Sequence, residues 1–166
     1  MMAALVREVG LGQELREIES VDPRVWANSV PIKSMGVLRS VWRRGKILIL
    51  EDDKQALLLH FGMTGQLLRK ADGRKLRLRF VFGNKGMLYL VDRRCLGWAE
   101  PCVLSQLDGR LKRCGLGDEF WPGQRSASWW SSRLGVGRGG LKAAMLRQTG
   151  VAGQRGVAEP RIEPGQ

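Results

Sequence analysis

Six residues near the middle of the chain, Lys75-Leu76-Arg77-Leu78-Arg79-Phe80, alternate strictly between apolar and cationic side chains. A period of two cannot sit on one face of a helix, whereas on a pleated strand it sends Leu76, Leu78 and Phe80 to one side and Lys75, Arg77 and Arg79 to the other. The expectation is a half-buried antiparallel strand. Gly83-Asn84-Lys85-Gly86 closes it, and Met87 to Val91 returns as its partner. Between Arg69 and Arg94 there are nine cations and two acids. Such a density of like charge on a sheet face is costly unless solvent or phosphate meets it.

Further strands flank this pair. Leu15, Ile18 and Val21 lie between charges before the break at Asp22-Pro23, which suggests a short early strand. Val37 to Val41 alternates with Arg39 and runs through Trp42-Arg43-Arg44-Gly45 into Lys46-Ile47-Leu48-Ile49-Leu50. The polar stretch Glu51 to Lys54 then separates it from Ala56-Leu57-Leu58-Leu59-His60, as in a hairpin. Gly62 and Gly65 bracket Met63-Thr64, Gln66 to Arg69 resumes a strand, and Asp72-Gly73 marks a turn. After Pro101 the spacing of Leu104, Leu107 and Leu111 predicts a short helix. Pro122 to Ser126 reads as a linker, and Leu141 to Gln148 as a helix of good formers. Residues 154–166 have no apolar period and are expected to be disordered.

The chain has 166 residues, enough for about one domain with a real core. Its 28 Lys and Arg, 20 of them Arg, stand against 16 acids, for a formal net charge of +12. The excess is spread along the chain, with +7 over residues 1–100 and +5 over 101–166. This fits a polyanion-binding surface, nucleic acid above all, rather than a basic tail. A composition of 43% hydrophobic and 27% charged residues excludes a wholly disordered chain, while 22 glycines signal abundant turns. No apolar run approaches the roughly 20 residues that span a bilayer, and charge at Arg7 and Glu8 interrupts any secretory signal, so an intracellular protein without a membrane role is expected. Cys95, Cys102 and Cys114 form no CxxC pair and His60 is the only histidine, which argues against zinc and favours reduced thiols. No cofactor is expected.

Three blocks come in a telling order: Arg43-Arg44-Gly45-Lys46-Ile47-Leu48-Ile49-Leu50, then Leu59-His60-Phe61-Gly62-Met63-Thr64-Gly65, then Asp92-Arg93-Arg94-Cys95-Leu96-Gly97. In order and spacing they resemble the formamidopyrimidine-DNA glycosylase and endonuclease VIII family. Asp22-Pro23-Arg24-Val25-Trp26 is similar to the end of an early strand of that family, and Leu141 to Gly153 to the start of its helix-two-turn-helix module. The resemblance spans about residues 9 to 153. It implies an α+β fold: a two-layer antiparallel β-sandwich with flanking helices over residues 1–121, then a partial helix-two-turn-helix segment over 122–153 and a tail over 154–166.

The function implied is base-excision repair of damaged bases such as oxidised purines, on double-stranded DNA carrying the lesion or an abasic site, by a monomer. In the family an N-terminal proline amine attacks the sugar C1′, an adjacent glutamate moves protons, and a Schiff base leads to strand cleavage by elimination. The damaged base leaves the stack, and wedge side chains fill the gap. By resemblance, Lys46 is the hairpin lysine near the phosphate with a proton-transfer role, Met63 the residue that enters the duplex, and Arg94 the first arginine of the later block. Leu96 stands where the family has a wedge phenylalanine and Cys95 where it has a second arginine. His60 is expected to be structural. Arg43, Arg44, Arg74, Lys75, Arg77 and Lys142 complete the expected DNA-contacting set.

Departures temper the expected chemistry. The chain opens Met1-Met2-Ala3-Ala4, no proline occurs before Pro23, and the first acid is Glu8. Gln154-Arg155-Gly156 stands where the family continues its helical module, and no zinc finger follows. The expectation is therefore a family member cut short at both ends and impaired in catalysis, the alternative being a non-catalytic basic domain that binds DNA or RNA.

Overall fold

In a computed structural model of the chain, residues 2–26, 29–114, 118–119, 128 and 151–152 are described. Helix α1 (Met2–Gly10) opens it, burying Ala3, Val6, Val9 and Gly10. Strand β1 (Glu14–Ser20) leads to a 3-10 turn at Pro23–Trp26, then come β2 (Met35–Val37), β3 (Ser40–Arg44), β4 (Ile47–Glu51) and β5 (Gln55–His60). Next are β6 (Gln66–Leu68), β7 (Leu76–Phe82), β8 (Met87–Val91) and β9 (Trp98–Val103). A 3-10 turn at Leu104–Gln106 runs into α2 (Leu107–Arg113), and two short segments, β10 (Asp118–Glu119) and β11 (Val151–Ala152), pair in parallel.

The strands form two antiparallel sheets, ordered β2-β1-β7-β8-β6 and β3-β4-β5-β9. The expected sandwich is what the chain builds. Its core lies between them: Leu15, Ile18, Leu78, Phe80, Phe82, Leu88 and Leu90 of the first sheet belong to one cluster with Leu48, Leu50, Leu57 and Leu59 of the second. The second sheet has another buried face, where Ile47, Ile49, Ala56, Leu58 and Cys102 pack with Leu107 and Leu111 of α2. Burial on both faces explains why β4 and β5 read as unbroken apolar runs rather than alternating ones. The helix predicted from Leu104, Leu107 and Leu111 is thus the lid of that second layer.

Four features differ from the sequence reading. The run from Trp42 through Gly45 into Leu50 is two strands, β3 and β4, which turn at Gly45-Lys46 and pair antiparallel. Val37 to Val41 is not one strand: the Leu38 N–H donates to the Gln13 carbonyl at 2.9 Å, while the Arg39 N–H donates to the Glu51 carbonyl at 2.8 Å. The chain changes sheets between these two residues. Trp98–Val103 is a strand that Pro101 concealed, tolerated because β9 is a sheet edge. Helix α1 was hidden by its shortness and its charges, although Ala3, Val6 and Val9 already carry a three-residue apolar spacing. The expected helix over residues 141–148 and the tail over 154–166 lie outside the described residues. Val151–Ala152, which the resemblance placed at a helical turn, are extended and pair with Asp118–Glu119.

Helix α1 docks through Gly10, where an added Cβ would lie 2.3 Å from the Phe82 ring, itself fully buried. Gly10→Ala should therefore lower stability by about 1–3 kcal/mol, the usual cost of overpacking. Urea unfolding of the two proteins checks this, and equal midpoints would mean that the helix can shift freely on the sheet.

Candidate nucleic-acid interface

The second sheet brings one set of groups to one end. Arg44 pairs with Ile47, leaving Gly45-Lys46 as a two-residue hairpin turn with Gly45 at φ +57°. A positive φ at the first turn position is the glycine-dependent geometry that matches strand twist. Lys46 is exposed on this turn, Arg43 and Arg44 are half-buried beside it, and Arg43 donates to the Gly45 carbonyl at 3.2 Å. Ile47 pairs with His60, and His60 with Trp98, so all three strand ends are adjacent. His60 stacks on Trp98 with centroids 5.4 Å apart, and its Nδ1 accepts the Gly62 N–H at 3.2 Å. Burial, and secondarily the charge of Lys46, disfavour the imidazolium and lower the His60 pKa. A neutral ring suits a nitrogen that accepts, and His60 is a packing and capping residue here.

From His60 the chain enters a tight loop. Gly65 donates to the Phe61 carbonyl at 2.8 Å, and Met63 at the tip is 79% exposed. Met63 is therefore no part of the core. Gly62, at φ +56°, has no room for a side chain, because a Cβ there would sit 2.8 Å from the Leu96 carbonyl carbon. The Met63 loop and the loop after β8 are in backbone contact.

That second loop is organised by Asp92. Its Oδ2 accepts the N–H groups of Leu96 (2.9 Å) and Gly97 (2.8 Å), and its Oδ1 accepts the Arg94 N–H (3.1 Å) and the Thr64 hydroxyl (2.5 Å). Burial pushes the Asp92 carboxyl up, but the Thr64 hydroxyl and the three N–H donors outweigh it and hold the pKa below the ordinary range. Cys95 takes φ +52°, a left-handed conformation unusual for a side chain other than glycine, between residues whose amides Asp92 holds. Leu96 is 45% exposed, and an Arg94 Nη1 lies 3.9 Å from the Met63 sulfur. Met63, Arg94 and Leu96 thus converge on one rim. Asp92 and Thr64, which unite the loops, carry little sequence signal of that role beyond a short turn headed by Asp.

Arg77 requires a correction. It was expected on the cationic face, yet its side chain is 5% exposed and pairs with Asp22. Leu76 pairs with Val91 and Leu78 with Leu90, so Arg77 is the extra residue of a β-bulge, which re-aims its side chain. Its Nε donates to the Asp92 carbonyl at 2.8 Å, and its own carbonyl accepts the Val21 N–H at 2.9 Å. Asp22 also accepts the Arg24 Nη2 at 2.7 Å and the Arg24 N–H at 3.1 Å. The Arg24 hydrogen bond, against burial and helped by the nearby Arg77 charge, holds the Asp22 carboxyl far below its ordinary value. Arg77 is a structural residue, unavailable to phosphate. Arg79 likewise spends itself on Glu19 (2.6 Å) and Glu17. Arg74 is exposed and donates to Gln66 at 2.9 Å, Lys75 is exposed, and Lys142 lies outside the described residues.

The profile of the Formamidopyrimidine-DNA glycosylase N-terminal domain matches residues 2–99. The chain belongs to this family. It is 30% identical over 125 residues to a formamidopyrimidine-DNA glycosylase of Glaesserella parasuis, covering 68% of this chain and 46% of that protein. With a Mycolicibacterium smegmatis formamidopyrimidine-DNA glycosylase it shares 40% identity over 70 residues, 40% of this chain and 25% of that one. The chain thus spans less than half the length of these two relatives. Its fold matches Lactococcus lactis Fpg solved with DNA containing an abasic site, with a TM-score of 0.74 and 23% identity, over 91% of this chain and 59% of that one. A second match is Lactococcus lactis Fpg with Fapy-dG-containing DNA, with a TM-score of 0.75 and 24% identity, over 92% and 60%. Among the described residues, no helix is long and apolar enough to cross a membrane.

Three depressed carboxylates, Asp22, Asp52 and Asp92, give the family domain a defined acid limit. A folded-state pKa held below the unfolded value stabilises above the unfolded pKa, near 4, and this contribution is lost as pH falls toward the folded pKa. Stability should therefore be steady from neutral pH to about 5 and fall below about 4, and Asp22→Asn should flatten that fall. Thermal melts across this range check it, and an unchanged acid slope in the variant would remove Asp22 from the account.

Proposed function

We propose that this chain is the lesion-reading domain of a base-excision repair protein acting on damaged duplex DNA. The observation that carries this reading is the pair of exposed apolar side chains, Met63 and Leu96, held next to Arg94 on two connected loops. Exposed apolar side chains on a basic rim suit a site where a base has left the stack, since they replace lost stacking inside the duplex while arginines meet phosphate or base edges. Lys46, Arg43, Arg44, Arg74, Lys75 and Arg93 would supply backbone contacts that do not depend on sequence. The abasic and Fapy-dG DNA in the similar solved structures supports the choice of partner. Cys95 offers no bidentate donor set for an orphaned base, so discrimination of the opposite base would be weak.

The chemistry proposed is N-glycosylase and abasic-site lyase action. The reading is a scaffold that grips damaged DNA for that chemistry.

Two outcomes follow. Met63→Ala should lower the preference for abasic over intact duplex by about tenfold, the scale of losing a large apolar contact. A gel-shift titration on both duplexes measures it, and equal losses on both would make Met63 an ordinary packing residue. Borohydride trapping on a single-abasic-site duplex should give little adduct with the chain as it stands and a strong band when the chain is given a Met-Pro-Glu start. A strong adduct from the unaltered chain would instead assign lyase chemistry to another amine, and absence from both would favour a purely binding domain.

A further inference from the structure

We infer that Thr64 and Asp92 are positioning residues that couple the two DNA-facing loops, so that Met63 and Leu96 are presented as one wedge rather than two independent ones. This rests on the proposed lesion-reading role for its functional consequence, but the coupling itself is a property of the free protein. One carboxylate serves both loops: the Thr64 hydroxyl, one residue from Met63, and the N–H groups of Arg94, Leu96 and Gly97 all donate to Asp92. The backbone adds to this, because Gly62 lies against Leu96, and Gly97 lies so near the His60 carbonyl that a Cβ would be 2.6 Å from it.

The carboxylate is in turn fixed from below. Asp92 donates its N–H to the Lys75 carbonyl at 3.0 Å and accepts Arg77 Nε on its own carbonyl at 2.8 Å, and Arg77 is buried. Movement of either loop alone would leave a buried carboxylate oxygen short of a donor, which costs more than the bond itself is worth. Loops with independent supports could fray one at a time. Here the cheaper excursion is for both to open together, and the side chains at their tips keep their spacing while the loops are closed. Filling the gap left by a displaced base requires that spacing, so the coupling should appear as lesion preference and not as general affinity.

The hydroxyl is the one contact that can be removed without touching either wedge. Thr64→Val keeps the shape and loses the donor, and Thr64→Ser keeps the donor. On a duplex with one tetrahydrofuran abasic analogue beside the same duplex intact, Thr64→Val should lower the abasic-over-intact ratio about tenfold, the scale of a hydrogen bond to a charged group, and Thr64→Ser should restore it. A Thr64→Val protein with the original ratio, in a background where Met63→Ala loses it, overturns the coupling while leaving the lesion-reading role standing. Loss of the ratio in both Thr64 variants also overturns it, since the hydroxyl would then not be what matters. If the unaltered chain shows no abasic preference at all, the lesion-reading role fails, and the coupling is judged on the protein alone. Hydrogen exchange of the unaltered chain needs neither DNA nor a variant: the Gly65, Leu96 and Gly97 amides should share one opening free energy and one denaturant dependence. Separate values for the two loops would overturn the coupling.

Discussion

A guanidinium removed from water must find partners for its charge and its donors, and one left without them costs several kcal/mol. Arg77 is in that position, and its partners come from two places in the chain: after β1, where the Asp22 carboxylate meets the guanidinium and the Val21 N–H meets the Arg77 carbonyl, and after β8, where the Asp92 carbonyl accepts from Nε. Those contacts can form together only if the end of β1, the bulge of β7 and the end of β8 meet at one point. The first sheet is thereby held in register where it delivers the Asp92 loop. Because Arg77 takes the backbone of Asp92, the side chain is left to gather amides from residues 94 to 97 and the hydroxyl of Thr64.

The second sheet contributes in a different way. Its strands are buried on both sides, by the first sheet and by α2, so β4 and β5 have no solvated face that could slide by one residue into an alternative register. Slippage is costly where side chains are sorted between two packed layers. That fixed register is what aligns the Gly45-Lys46 turn, His60 and Trp98 at one edge of the sandwich. The Met63 loop leaves from this edge and meets the Asp92 loop arriving from the other sheet. The rim is therefore a joint between the layers, and each layer controls one half of it.

Much of this was legible from residue order. Alternation at Leu78 and Phe80, the hairpin across Glu51 to Lys54 and the glycines around Met63 are local signals, and local physics decides them. Helix α1 aside, the misses depend on partners distant in sequence. Arg77 looks like a surface cation until the bulge turns it toward Asp22, 55 residues away. Pro101 looks like a breaker until β9 proves to be an edge, and the break between Leu38 and Arg39 is visible only once their backbone partners are known, Gln13 at the entry to β1 and Glu51 in β4 of the other sheet. Asp92 carries no signal beyond its turn preference, because its importance comes from what Arg77 and Thr64 do around it.

The same reasoning limits what the net charge of +12 says about a polyanion. Of the nine cations between Arg69 and Arg94, Arg69 faces Glu8, Arg77 is buried against Asp22, and Arg79 faces two glutamates. Exposed pairs such as those of Arg69 and Arg79 are worth little and could be exchanged for phosphate, since competing ions screen them. The Arg77 pair is different in kind, because releasing it would leave a buried guanidinium without its carboxylate and loosen the support of Asp92. Composition therefore overstates the charge available to a polyanion, and the part it overstates is the part that shapes the rim. A cation can hold the two rim loops in place or face solvent, and burial decides which.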